Sequence, residues 1–182
     1  MFIIKPEKAY YNSESQRLSF RPLNEGHISK WASFFIDNET ERFLGFEGST
    51  KTNEEKARFW IEKQITRKNN HEFGQLAIIE KKTGVFIGVG GVIYREINGK
   101  PEYEITYSLL KEHWRKGYGT ELALYFQNLM LNTYEVESII SIIHEENKAS
   151  INVAEKNELV FDSKMEFLKM PMLIYRSLKN RP

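Results

Sequence analysis

A strand pattern that passes straight into an amphipathic helix through two glycines constrains this chain more than any other feature. From Glu102 to Leu110, Tyr103, Ile105 and Tyr107 alternate with Glu104, Thr106 and Ser108, the two-residue period of a half-buried strand. The joint that follows reads His113-Trp114-Arg115-Lys116-Gly117-Tyr118-Gly119-Thr120. Beyond it Leu122, Ala123, Phe126, Leu129 and Met130 share one face at helical spacing. The first turn of a helix leaves several N–H groups unpaired, and the macrodipole adds about half a positive charge there. Gly117 and Gly119 let a large anion approach that backbone, and Arg115 and Lys116 add two cations. The joint therefore reads as a seat for a diphosphate. A plain glycine-containing turn before a buried helix is the structural alternative.

The rest of the chain surrounds this joint with alternating elements. Leu18 and Phe20 alternate with Ser19 and Arg21 as a first strand, and Ile28, Trp31, Ala32 and Phe35 follow at helical spacing. Thr52-Asn53-Glu54-Glu55 matches a capping box, opening a helix to about Lys68 with Ala57, Trp60, Ile61 and Ile65 on one face. Strands are expected over Phe73–Glu80 and Phe86–Arg95, the second holding Gly88, Gly90 and Gly91, which suggests a bulge or the close approach of another backbone. Asn98-Gly99 is a strong hairpin signal before the strand at Glu102. After the glycine joint and its helix come a strand over Ser138–Ile143 and a helix over about Asn147–Lys156. Two last strands are expected over Val160–Leu168 and Met172–Leu178, with Pro171 in the turn. The order β, α, α, β, β, β, α, β, α, β, β implies a mixed α/β class with an antiparallel meander in the middle.

Charge and composition limit what can bind. Lys and Arg number 26 against 25 Asp and Glu, a net charge of +1, so no overall field draws in nucleic acid or an anionic membrane. Neither is expected as a partner, and an anionic ligand must be held by local groups. The absence of cysteine removes disulfides, thiolate metal sites and Cys nucleophiles. The start, MFIIKPEKAYYNSESQ, has only four consecutive apolar residues, too few for a signal peptide, and a cytoplasmic protein is expected. Residues 1–16 read as a short N-terminal arm and 17–182 as a single domain. No Walker pattern, complete GxGxxG or GxSxG elbow is present. His27, His71, His113 and His144 show no metal-ligand spacing, so no metal is expected.

The run strand, WRKGYGTE, helix, strand, HEENKAS resembles the acetyl-CoA-binding half of the GNAT superfamily of N-acetyltransferases. EITYSLLKEHWRKGYGTELA followed by ENKASINVAEK resembles the RimJ/RimL-like branch, the ribosomal-protein-alanine acetyltransferases. The resemblance covers most of residues 17–178 in element order, with its motifs between Glu104 and Lys156. It implies a mixed, mostly antiparallel sheet of about seven strands, splayed centrally, with helices on both faces. It also implies transfer of acetyl from acetyl-CoA, by direct attack, to a primary amine on a protein N-terminus or a small molecule. A non-catalytic CoA-binding sensor or interaction module is the alternative, and the exposed C-terminal hairpin leaves a homodimer open.

The resemblance also assigns residues. Arg115, Lys116, Gly117, Tyr118, Gly119 and Thr120 correspond to the loop that binds the CoA pyrophosphate through backbone amides. Trp114 stands where the motif usually has Gln or Arg. Tyr107, Ser108 and Leu109 would pair with the pantetheine amides and offer an N–H to the thioester oxygen. Asn147 would hydrogen-bond the pantetheine arm, and Ser150 would lie near the sulfur. Many members protonate the leaving thiolate with a Tyr where this chain has Ala154, so Ser150 is the candidate acid. Asn157 replaces a frequent Gly. Only about 0.1% of an alkylamine is unprotonated at pH 7, so a carboxylate base is useful. Glu104 occupies the position of the family's recurrent Glu, with an ion-paired strand glutamate as the structural alternative and Glu166 as a weaker base candidate. Phe43 and Phe46 are candidate acceptor contacts as well as candidate core.

Overall fold

A computed structural model describes residues 4–36, 38–46 and 48–178. Its seven strands are β1 (Leu18–Arg21), β2 (Gln75–Glu80), β3 (Val85–Ile97), β4 (Lys100–Leu109), β5 (Ser138–His144), β6 (Val160–Phe167) and β7 (Met170–Leu178). The α-helices are α1 (Ile28–Ala32), α2 (Asn53–Asn69), α3 (Tyr118–Asn128) and α4 (Lys148–Lys156). The strands form one sheet in the order β1-β2-β3-β4-β5-β7-β6. Every neighbouring pair is antiparallel except β4–β5, which is parallel and joined at the single register pair Glu104–Ile140. Past that pair the two central strands separate. This is the splayed, mostly antiparallel sheet that the motifs imply.

Alternation along the strands supplies two cores, one per sheet face. Phe20, Ile78, Ile105, Leu122 and Phe126 belong to the core under α3 and α4. Trp31, Phe34, Ile61, Ala77, Val89 and Leu110 belong to the core under α1 and α2. The step from Leu109, the last residue of β4, to Leu110 crosses the sheet, so the two serve opposite cores. Gly90 explains how α3 lies so near the strands: a Cβ there would stand 2.8 Å from Leu122 Cδ1. Within the first sixteen residues, Tyr10 is fully buried; its hydroxyl donates to the Gly74 carbonyl (2.6 Å) and accepts from Val92 N–H (2.8 Å).

Several boundaries differ from the sequence pattern: β2 begins at Gln75 rather than Phe73, and the helix carrying Leu129 and Met130 is α-helical to Asn128 and continues as a π-turn, Leu129–Thr133. The helix expected through Phe35 is α-helical only to Ala32 and ends as a 3-10 turn, Ser33–Phe35, where Phe34 and Phe35 turn into the core beside Trp31. Pro171 lies inside β7, opposite Glu166, and the turn is formed by Leu168 and Lys169, both at positive φ. Proline is accommodated there because it sits near the strand start and uses only its carbonyl, which accepts from Glu145 N–H (3.3 Å). Among the described residues, no helix is long and apolar enough to cross a membrane.

Candidate functional site

The start of α3 is built to leave donors free. Gly117 is its N-cap residue in the left-handed region (φ 78°, ψ 5°), with no side chain capping the helix. Arg115 also has positive φ (59°). Alternating left-handed residues fold a short loop into a concave row of N–H groups suited to anions. Among the described residues, no protein acceptor is recorded for the N–H groups of Lys116 through Thr120. Arg115, Lys116 and Gly117 are exposed, Gly119 and Thr120 half-buried. Tyr118 faces inward, and its hydroxyl donates to the Glu80 carboxylate.

Arg17 is a neighbour that no motif or period singles out. Its Nε donates to Glu121 (2.6 Å), its Nη1 to the Lys116 carbonyl (2.9 Å), and its guanidinium covers the Tyr118 ring at 4.6 Å. This fixes the loop from the side of β1. A contact spanning about a hundred residues leaves no periodic signal in either segment.

Beside the loop lies the gap between β4 and β5. The Ile105 carbonyl accepts from Ser141 Oγ across it (3.4 Å), while Leu110 N–H bonds on the other side to Ile87 (2.9 Å). By strand alternation, the main-chain groups of Tyr107 and Leu109 point into the gap. The Leu109 carbonyl is taken by Trp114 Nε1 (2.7 Å), whereas Ser108 faces β3 opposite Val89. Asn147 caps α4 across the gap, its Oδ1 accepting from Ser150 N–H (3.1 Å). The Ser150 side chain hydrogen-bonds the Tyr107 hydroxyl, whose pKa burial pushes up to about 12 against the opposing effect of that bond. The structure thus gathers Tyr107, Asn147 and Ser150 around one end of the gap. Ala154 is buried further along α4.

Glu104 stands at the apex, at the only register pair joining β4 to β5. It is 5% exposed and paired with Arg95 Nε. Burial raises its pKa above the ordinary carboxylate value, opposed by the Arg95 charge and hydrogen bond and by the Arg67 charge. Arg95 also covers the Phe167 ring at 4.9 Å. Its position was recoverable: the Asn98-Gly99 turn fixes Arg95 opposite Glu102, which makes Glu104 its diagonal neighbour on the same face.

A cleft of about 290 Å³ opens on that face, lined in part by Arg95, Ile142, Met165 and Phe167. Phe43 stacks on His144 at 4.7 Å, over the end of β5. Phe46 instead packs against Phe35 and Trp60 at the margin of the second core. Glu166 is exposed on β6.

Three comparisons bear on this geometry. The sequence profile of the acetyltransferase (GNAT) domain matches residues 17–160. The uncharacterized protein YkkB of Bacillus subtilis (strain 168) is 30% identical over 96 residues, which are 53% of this chain and 56% of that protein. The matched chain thus spans about half the length of that relative. Among solved structures, a GNAT-family acetyltransferase from Bacillus anthracis superposes with a TM-score of 0.74 at 19% identity, covering 91% of this chain and 97% of the other. RimL, a ribosomal L7/L12 α-N-protein acetyltransferase in complex with coenzyme A, superposes with a TM-score of 0.69 at 16% identity, covering 90% and 95%. At such identities the superpositions establish the fold. With the profile spanning both the glycine joint and the split sheet, the chain belongs to the GNAT acetyltransferase-domain family.

Proposed function

We propose that this protein transfers the acetyl group of acetyl-CoA to a primary amine by direct attack, within the RimJ/RimL-like branch. One observation supports the reading above all: a row of unpaired N–H groups opens α3 beside a gap into which β4 turns its own main chain. The residues fit the co-substrate chemically. Donors from Lys116 to Thr120, with the charges of Arg115 and Lys116, suit a diphosphate. The strand edge at Tyr107 and Leu109 suits the two amides of pantetheine, and Asn147 keeps its Nδ2 for the same arm.

In this reading the amine nitrogen attacks the thioester carbonyl, the C–N bond forms and the C–S bond breaks. Leu109 N–H steadies the carbonyl oxygen as it gains charge. Glu104 takes a proton from the acceptor's ammonium so that the neutral amine can attack, through water where the gap is too long for direct contact. Ser150, with the Tyr107 hydroxyl behind it, returns a proton to sulfur. Phe43, over the end of β5, borders the acceptor's path, and Phe46 supports that border from the core. The acceptor is an amine of a protein N-terminus or of a small molecule. Free-thiol release from acetyl-CoA across an amine panel tests the proposal. Release that requires an acceptor supports it. Tight CoA binding with no release for any amine identifies a CoA-binding module instead.

A further inference from the structure

Three cations, Lys63, Arg67 and Arg95, gather on the Glu104 side of the gap. Burial lowers the pKa of Lys63 and of Arg67 on α2; the charge of Arg95 on β3 lowers both further, and Arg67 adds to the effect on Lys63. Glu104 is the buried carboxylate among them; the other acid acting on Arg67, Glu72, is exposed. Arg67 is half-buried, and its Nη1 is fully enclosed without a hydrogen-bond partner among the described residues. Buried guanidinium nitrogens are normally satisfied, so an orphan of this kind needs an explanation. Arg95 commits its Nε to Glu104, and a guanidinium has further donors in the same plane for a second anion.

The adjoining cleft sets the size of what can bring that anion. Its volume of about 290 Å³ is at the lower limit for ligand pockets. Its walls at Ile142, Met165 and Phe167 are apolar. Next to Phe167, the β6–β7 turn reaches the segment before α2: Leu168 Cδ1 lies 2.8 Å from where a Cβ on Gly45 would stand. A space of this size suits a small molecule.

We propose that the acceptor is a small amine that carries a carboxylate or a phosphate, bound by Arg95 on the cleft wall with the charge of Arg67 behind it, while its amino group is turned toward Glu104. This rests on the acetyltransferase reading and narrows it. Polyamines and other polycations are disfavoured, because a second positive charge would stand against the arginines without a counterion.

The test uses the full chain, acetyl-CoA at saturation and thiol release with matched amines: ethanolamine against phosphoethanolamine, glycinamide against glycine, and spermidine as the cationic case. The expected result is a kcat/KM about tenfold or more higher for the anionic member of at least one pair, as a charge-assisted arginine contact provides. The phosphate and carboxylate pairs separately report which anion fits. Arg67→Gln and Arg95→Gln should each bring that ratio down to within about twofold, whereas Arg67→Lys should retain part of it. Thermal stabilisation by CoA, measured in every variant, shows that the fold and the other half of the site persist. Equal or better turnover of neutral or cationic amines overturns the proposal and leaves the transferase reading standing. So does a ratio unchanged in both arginine-to-glutamine variants. No release with any amine, with CoA stabilisation retained, overturns the transferase reading and this proposal with it.

Discussion

Replacing Gly117 by Ala and by Asn separates the backbone role of that residue from its role as open space for an anion. Its φ of 78° and ψ of 5° lie in the left-handed region, where a Cβ costs about 1–2 kcal/mol and Asn is better tolerated than Ala. Nothing crowds the position: the nearest atom to an added Cβ is Arg17 Nη2 at 3.4 Å, the far end of a flexible side chain. Packing therefore adds little to the conformational cost. Gly117→Ala should lose about 1–2 kcal/mol, a fall in Tm of about 2–4 °C for each kcal/mol in a chain of this size, and Gly117→Asn less. Binding should not follow that order. Either side chain adds atoms beside the N–H groups of residues 116–120. Displacing a phosphate from one such donor forfeits a hydrogen bond to a charged group, about 1.5–3 kcal/mol, or at least a tenfold rise in KM for acetyl-CoA. The assays are thermal unfolding, with and without CoA, and initial rates of thiol release against acetyl-CoA concentration. If the Asn variant keeps the parental KM while the Ala variant is destabilised, Gly117 is a conformational residue only, and the diphosphate lies elsewhere. Gly119 is the poorer probe. A Cβ there would lie 3.3 Å from Tyr107 Cε2 and 3.7 Å from Val153 Cγ2, so a bulky residue disturbs the packing of α3 on β4 as well as the site.

Glu104→Gln should lower kcat by about 10²–10⁴-fold if the carboxylate is the base, and the acid limb of the pH–rate profile should disappear. Because burial raises the native pKa, that limb lies above the ordinary value of 4.5 in the parent. The same shift means that the folded state holds this proton more tightly than the unfolded chain. Glu104 therefore favours folding most below pH 4.5, and that contribution declines as pH rises through the native pKa. A parent-like rate and limb in the variant would remove Glu104 from the chemistry. Ser150→Ala should reduce kcat while leaving KM for acetyl-CoA within about twofold, and acyl donors with a more acidic leaving thiol should recover most of the loss; an unaltered kcat refutes the acid role. Thr52→Ala removes the side-chain cap that accepts from Glu55 N–H at the start of α2 (3.2 Å) and should cost about 1 kcal/mol in urea unfolding, with no change in KM.

The element order was legible because most segments bury one face and so carry a period. Tyr103, Ile105 and Tyr107 point to one core from β4, and Leu122 and Phe126 meet them from α3. The Asn98-Gly99 turn also fixed a register, and with it the diagonal approach of Arg95 to Glu104. Other contacts had no local cause. Arg17 reaches Glu121 and Lys116 from the far edge of the sheet, and Leu168 reaches Gly45 from the last hairpin. Such pairs depend on where completed elements come to lie, which neither segment encodes alone. Pro171 shows the opposite error: a residue that usually marks a turn was tolerated inside β7 because the strand asks nothing of its missing N–H there.

The opening between β4 and β5 was legible only through resemblance, since a parallel pair has no connecting turn to fix its register. What keeps it open is a matter of hydrogen-bond accounting. Parting two strands exposes main-chain groups, and buried ones must find other partners. At the apex, Ser141 Oγ serves the Ile105 carbonyl. At the mouth, Trp114 Nε1 serves the Leu109 carbonyl, so the residue that departs from the usual Gln or Arg also closes an acceptor that β5 would otherwise claim. Between them Tyr107 has a half-buried side chain and main-chain groups turned to the gap. The strand is thus satisfied at both ends of the gap and left open in the middle, where an extended chain with amides of its own can complete the pairing.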